Sequence, residues 1–365
     1  MNILHLEYSG GTGGIEKLCK DIGLHPGVDR QYFVFVHEGG EFYDEMQRAE
    51  LSVRCLNLKN RDVIKLYSII KQIVYNEQID AIVVHHPAPI VWLAILMYMC
   101  LPHRARVLIY FHNVYDEVTR HSKVRRQILN ILLKKSDGII AISEFVKNTV
   151  LLNSSVDSRK IHVIYNGIEC PDVDCTSEGS LHKPVRILYV GRLIEQKGVQ
   201  ILLRAVSILK DSTPCELRIV GDGPYRSELE DLSKELKIEN SVKFCGSRND
   251  VPEQLKWTDI FVHPTIGEEG FGLTVAEALS HGKICIACRK GGIPEIINDG
   301  ENGFLVESEK PMAIADKIEF VCNKLTIEQR QKIQQNATLR ARNFEIANLV
   351  YKLHTLVTSV EGKNG

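Results

Sequence analysis

Asp259-Ile-Phe-Val-His-Pro264, followed after a short gap by Glu269-Gly-Phe-Gly-Leu-Thr-Val-Ala-Glu277, is the stretch on which the fold turns. The first segment is an apolar, strand-like run, and the second opens a helix expected to end at His281-Gly282. Gly270 and Gly272 flank Phe271 just before the helix N-terminus, where glycine's backbone entropy is wasted unless something must approach closely. Two carboxylates, Glu269 and Glu277, bracket that approach. The plain structural reading is a capping box, Thr274-x-x-Glu277, with the acid reaching back to the cap amide. It leaves Glu269, Gly270 and Gly272 without a reason. A carboxylate has two oxygens, so capping and ligand binding can coexist.

Outward from this stretch the same strand-then-helix rhythm recurs. In the second half, Val185–Val190, Glu216–Val220, Val242–Cys245, Ile260–His263, Lys283–Ala287 and Gly303–Val306 read as strands. In the first half, Asn2–Glu7, Gln31–Val36, Asp80–His85, Val107–Phe111 and Gly138–Ile142 do the same. Alternating β and α with apolar strands predicts an α/β fold of two doubly wound parallel-sheet domains in tandem. The length of 365 residues is enough for two cores. Cys170–Pro184 breaks the periodicity and predicts an interdomain linker over 171–184. The expected domains are therefore 1–170 and 185–343, with a last helical stretch, Phe344–Val360.

In such sheets ligands gather at the carboxyl ends of the strands. His85, His86, His112, Asn113 and Ser143 are expected around one such crevice, although a lone strand-end histidine is more often structural. After the first strand, Tyr8-Ser-Gly-Gly-Thr-Gly-Gly14 runs into a helix near Ile15. It misses the dinucleotide fingerprint, because Glu16 stands where the third glycine should be, and it lacks the Lys-Ser/Thr of a P-loop. It serves better as a place where bulky side chains are excluded. Arg192 and Lys197 lie between a strand and the helix Val199–Lys210. A cation at a helix start is disfavoured by the macrodipole, and a bound diphosphate would reverse that sign. The plain reading is two solvated loop cations; the nearby Gly-rich helix start favours the anion.

Composition excludes several classes. A net charge of −1 offers no general affinity for nucleic acid. The ten cysteines are scattered, with no signal peptide and no compact cysteine framework, so a reducing cytoplasm is expected. Cys285-Ile-Ala-Cys288 has the spacing of a metal pair but lies in an apolar run with no second pair, and reads as buried structural thiols. Ile90–Leu101 is too short an apolar run to span a bilayer. Asp172-Val-Asp174 has the spacing of a metal-binding acid pair, but sits in the expected linker and reads as solvated acid. Thr119–Lys135 places Val124, Ile128, Ile131 and Leu132 in an apolar stripe with Arg120, Lys123 and Lys134 beside it. It reads as a packed helix with a basic flank; the competing reading is contact with an anionic membrane surface or a lipid diphosphate.

Taken together, these motifs resemble the family 4 retaining glycosyltransferases of the GT-B fold. The resemblance rests on Gly191-Arg-Leu with Lys197-Gly198, Gly221-Asp-Gly-Pro224, Glu269 and Glu277, and Gly291-Gly-Ile-Pro-Glu295 in that order. Gly13-Gly14-Ile-Glu16, Phe111-His112-Asn113, Ala141-Ile-Ser-Glu144 and Ile164-Tyr-Asn-Gly-Ile168 look like its first domain. Asn113 stands where the family often has Asp. The resemblance implies Rossmann-like domains facing each other across a cleft, with the C-terminal one holding a nucleotide sugar and the N-terminal one the acceptor. It implies Arg192 and Lys197 on the diphosphate, Glu269 on the sugar hydroxyls and Glu277 on the ribose. Backbone at Gly270, Phe271, Gly272, Leu273 and Thr274 would lie near sugar and phosphate. Gly14 would admit the β-phosphate, His112 would touch the transferred sugar, and Phe344–Val360 would return to the first domain. No metal or cofactor is implied. UDP-sugars are the family's commonest donors. The expected acceptor is a glycan or polyprenyl-diphosphate-linked glycan, as in polysaccharide, O-antigen or cell-envelope synthesis, at the inner face of the membrane.

Four alternatives share parts of this pattern. A nucleotide-sugar epimerase would consume donor without acceptor. A phosphorylase needs a Schiff-base lysine that nothing here singles out. A dinucleotide oxidoreductase could use Glu38, but its glycine spacing fails. A non-catalytic sugar-binding protein would not need Arg192, Lys197, Glu269 and Glu277 together.

Overall fold

The computed structural model describes residues 1–11, 13–85, 88–172 and 179–359. Thr12, His86, Asp174 and Val360 lie outside the described residues. The chain divides into two compact units, Met1–Ile168 with Ile346–Gly365, and Glu169–Glu345.

The first unit holds a parallel sheet of β1 (Asn2–Ser9), β2 (Arg30–Glu38), β3 (Ser52–Cys55), β4 (Ala81–Val84), β5 (Arg106–Phe111), β6 (Gly138–Ala141) and β7 (Ile161–Val163). Its order is β3-β2-β1-β4-β5-β6-β7. The winding therefore reverses between β1 and β4, which leaves a crevice at their carboxyl ends. β4 and β6 are buried at every residue, as parallel strands covered on both faces must be. β3 and β7 are additional to the expected strands. They are short edge strands, and β3 alternates exposed with half-buried residues, so neither carries a continuous apolar run.

The second unit holds β8 (Val185–Val190), β9 (Cys215–Val220), β10 (Val242–Gly246), β11 (Ile260–His263), β12 (Ile284–Cys288) and β13 (Phe304–Val306). The order is β10-β9-β8-β11-β12-β13, again parallel, with its reversal between β8 and β11. One apolar core, including Ile187, Leu203, Leu217, Val262, Ile286 and Ile318, lies between sheet and helices. Cys285 and Cys288 are buried in β12, where burial pushes the Cys288 thiol up to about 11.

Two elements settle local questions. The helix Pro89–Tyr98 buries Ile90, Val91, Trp92, Ala94, Ile95 and Tyr98, and no helix among the described residues is long and apolar enough to cross a membrane. The segment 119–135 is not one helix. Tyr115–Thr119 ends at Arg120 and His121, both in the left-handed region at φ +48° and +54°, and a second helix, Lys123–Lys135, starts from a Ser122 cap. Its buried face is Leu129, Leu132 and Leu133. Val124 and Ile131, expected inside the stripe, are 63% and 50% exposed, because the helix packs by its Leu129, Leu132 and Leu133 face instead.

Candidate active site

In the second unit, the segments following β8 and β11 are laced together at the point of reversal. After β8 the chain forms a short 3₁₀ turn, Glu195–Lys197, and enters the helix Val199–Leu209 at Gly198. The Gln196 carbonyl accepts from the amides of Ile266 and Gly267, each at 2.9 Å, and from Thr265 Oγ1 at 3.1 Å. Gly198 has φ +72°, and a Cβ there would lie 2.0 Å from the Pro264 carbonyl oxygen. Only glycine lets these loops close up. Tyr189 Oη donates to the Arg192 carbonyl at 3.1 Å, which holds the start of the first loop.

That lacing brings Lys197 to Glu269. The ammonium donates to Glu269 Oε2 at 2.6 Å, and His263 Nε2 lies 3.2 Å from the same oxygen. Burial alone would raise the Glu269 carboxyl; the His263 hydrogen bond and the Lys197 charge outweigh it and hold the group down at about 2. Glu269 is therefore an anion at neutral pH. Arg192 is exposed on the same loop as Lys197, and among the described residues its guanidinium has no protein partner.

The Gly-Phe-Gly stretch is braced from below. The Gly292 amide donates to the Glu269 carbonyl at 2.7 Å, and Phe271 is buried edge-on against Phe344 with centroids 5.3 Å apart. The Phe271 ring is thus an anchor for the loop. The helix Leu273–Ser280 follows, capped by Gly272, which has no side chain to bond. Thr274 is inside the helix, so the capping box does not form. Glu277 is half-buried on this helix, and Gly270, Leu273 and Thr274 are also half-buried.

In the first unit, Gly14 is exposed at the first residue of the helix Gly14–Leu24. The Glu16 carboxylate fills the space beside Gly13, where a Cβ would lie 2.3 Å from its Oε2. His112, just beyond β5, is buried and stacks on His85 with centroids 5.2 Å apart. Asn113 is exposed, and Ser143 is a buried helix cap that accepts from the Val146 amide at 3.0 Å. Asp172, the described half of the acid pair, is fully exposed and 3.7 Å from Arg342.

Several residues at these sites were not singled out from sequence. His263 orients Glu269, and its only sequence signal is a polar residue closing an otherwise apolar strand. His5 and Glu7 are fully buried in β1, where the polar positions inside Asn2–Glu7 were that same signal.

The comparisons with known proteins agree with this architecture. The family model for glycosyl transferases group 1 matches residues 176–340, and that for glycosyltransferase family 4 matches residues 27–171. The N-acetyl-alpha-D-glucosaminyl L-malate synthase of Bacillus anthracis is 26% identical over 99% of this chain and 91% of that protein. A 41.2 kDa protein of the cps region of Klebsiella pneumoniae is 24% identical over 97% of this chain and 99% of its own. Among solved structures, Anabaena HepE in complex with UDP-glucose superposes with a TM-score of 0.82 at 22% identity, covering 98% of this chain and 100% of that one. The chain belongs to the family 4 glycosyltransferases, built on the GT-B fold.

Proposed function

We propose that this glycosyltransferase is a retaining enzyme that moves a hexose or N-acetylhexosamine from a UDP-sugar to a glycan or lipid-linked acceptor in polysaccharide or cell-envelope synthesis. The observation that carries the reading is the Lys197–Glu269 contact at 2.6 Å beside the glycine-capped helix start, at the β8/β11 reversal. A UDP-glucose complex of HepE and a relative from a cps region support the donor and the pathway. In this reading Arg192 and Lys197 hold the diphosphate, Glu269 the sugar hydroxyls and Glu277 the ribose. The backbone of Gly270, Phe271, Gly272, Leu273 and Thr274 lines sugar and phosphate. Gly14 is assigned to the β-phosphate and His112 to the transferred sugar.

As the bond from the anomeric carbon to the leaving oxygen breaks, negative charge grows on the nucleoside diphosphate. Lys197, held by Glu269, together with the exposed Arg192 and the helix start, stabilises it without a metal ion. The acceptor hydroxyl adds on the face the leaving group departs from, and its proton passes to the departing phosphate. Glu269 Oε2 is held by both Lys197 and His263, which supports a positioning role over a nucleophilic one.

Lys197→Ala and Glu269→Ala are each expected to lower kcat/KM by about 10²–10³, the usual worth of a charge-stabilising group. Product anomers are read by NMR, donor consumption is followed with and without acceptor, and a chelator leaves the rate unchanged. Near wild-type transfer by Lys197→Ala ends the diphosphate assignment; an inverted anomer ends the retaining one.

A further inference from the structure

Gln31, His5, His85 and His112 form one hydrogen-bonded line across the first sheet. They come from β2, β1 and the carboxyl ends of β4 and β5, which are neighbours in that order. His5 pairs in register with Phe33 of β2 and Val83 of β4. Gln31 is thus two residues back on one side and His85 two residues on at the other. Val84 pairs with Ile109, so His112 is two residues further still. Steps of two keep every side chain on one face of the sheet. His5 Nε2 lies 2.7 Å from Gln31 Oε1, His5 Nδ1 lies 2.8 Å from His85 Nε2, and His85 Nδ1 lies 2.9 Å from His112 Nε2. All four residues are buried.

A neutral imidazole has one N–H and one lone pair, so the choice at one end propagates to the other. The Gln31 amide oxygen only accepts. With that oxygen facing the ring, and the Gln31 amide nitrogen buried without a partner among the described residues, His5 donates from Nε2 and accepts at Nδ1 from His85 Nε2–H. His85 in turn accepts at Nδ1 from His112 Nε2–H. Burial lowers His5 to about 4 and raises both the Glu7 carboxyl and the Cys19 thiol, which donates to Glu7 Oε1 at 3.0 Å.

We propose that Gln31, His5 and His85 are positioning residues that set the tautomer of His112, with the proton on Nε2 and the acceptor lone pair on Nδ1. The consequence for turnover rests on the reading of His112 given above; the tautomer itself does not. A neutral acceptor nitrogen takes the O–H of a sugar hydroxyl and leaves the hydroxyl oxygen's lone pairs free for other donors. An imidazolium would offer only N–H groups.

The test uses the full chain labelled with ¹⁵N-histidine. Two-bond ¹H–¹⁵N spectra, assigned by single His→Phe variants, are expected to show His5, His85 and His112 neutral with the proton on Nε2. Gln31→Met, close in shape but lacking the amide acceptor, is expected to give mixed tautomers at His112. Its kcat should fall about tenfold, the worth of one hydrogen bond, with KM for the UDP-sugar and the UDP-induced thermal shift unchanged. An imidazolium in the row, His112 protonated on Nδ1, or zinc bound by His5, Cys19 and His85 (the group among the described residues that could ligate a metal) each overturns the proposal. The wild-type spectrum decides even where Gln31→Met does not fold. Full turnover by His112→Ala alongside an intact Nε2–H row would remove the role assigned to His112 while confirming the tautomer.

Discussion

Glu269 Oε2 takes both the Lys197 ammonium and the His263 ring nitrogen, and that shared oxygen makes a definite demand on pH. The carboxyl is held at about 2 against an ordinary 4.5, so the folded chain binds this proton less tightly than the unfolded one. The contribution is complete above pH 4.5 and is lost as pH falls through 2. Linkage sets it on the order of 3 kcal/mol. Glu269→Gln is expected to be less stable than wild type near neutrality, with the gap closing between pH 4.5 and 2 in urea titrations. A gap independent of pH would mean that charge is not what the pair contributes. Sequence singles out Lys197 and Glu269 as charged residues beside glycines. Their contact was not legible, because 72 positions separate them and only the β8/β11 adjacency joins their loops. His263 is only six positions from Glu269, but a polar residue closing an apolar strand does not reveal which side chain its ring meets.

Loops of this site are held by backbone approaches that a side chain would block. Gly291 has φ +55°, and a Cβ there would lie 2.0 Å from the Glu269 carbonyl oxygen. Gly300 has φ +81° but nothing within 4 Å. Gly300→Ala should therefore cost only the left-handed penalty of about 1–2 kcal/mol and spare activity. Gly291→Ala should cost more, push the Glu269 loop away and abolish transfer. Equal activity in the two variants would show that the brace is not needed. The capping box at Thr274–Glu277 was a fair reading of spacing, and it failed because Gly272 starts the helix two residues earlier. On the helix Lys123–Lys135, Val124 and Ile131 are exposed along with Lys123, Lys134 and Lys135, so the competing reading of peripheral membrane contact can be tested directly. Replacing Arg120, Lys123, Arg125, Arg126, Lys134 and Lys135 by Gln is expected to abolish sedimentation with anionic liposomes. Unchanged sedimentation would exclude this surface.

Across the whole molecule the chain returns to its first unit after completing the second. The helix Ile346–Ser359 buries Leu349, Val350, Leu353, Leu356 and Val357. His354 Nδ1 lies 2.9 Å from Asp29 Oδ2, the Arg106 guanidinium donates to the Val357 carbonyl, and the Ile346 amide donates to Ile168 at 2.9 Å. Leu353→Ala is expected to destabilise this unit by about 2–5 kcal/mol, seen as faster amide exchange in β1 and β2. Unchanged exchange there would mean that the helix is dispensable to the first unit's core.

What the sequence determined by itself is local and periodic. Apolar runs alternating with helical stripes specify parallel α/β layers, and glycines beside Arg192, Lys197, Glu269 and Glu277 single out the loops proposed to meet a ligand. Edge strands such as β3 escape that logic, because a half-exposed strand needs no continuous apolar run. Tertiary structure alone decided which distant residues meet. Strand order set Lys197 against Glu269, and it lined up Gln31, His5, His85 and His112 along one sheet face. Hydrogen bonds act over about 3 Å, and no local pattern encodes contacts made by strands that are neighbours only after the sheet has wound.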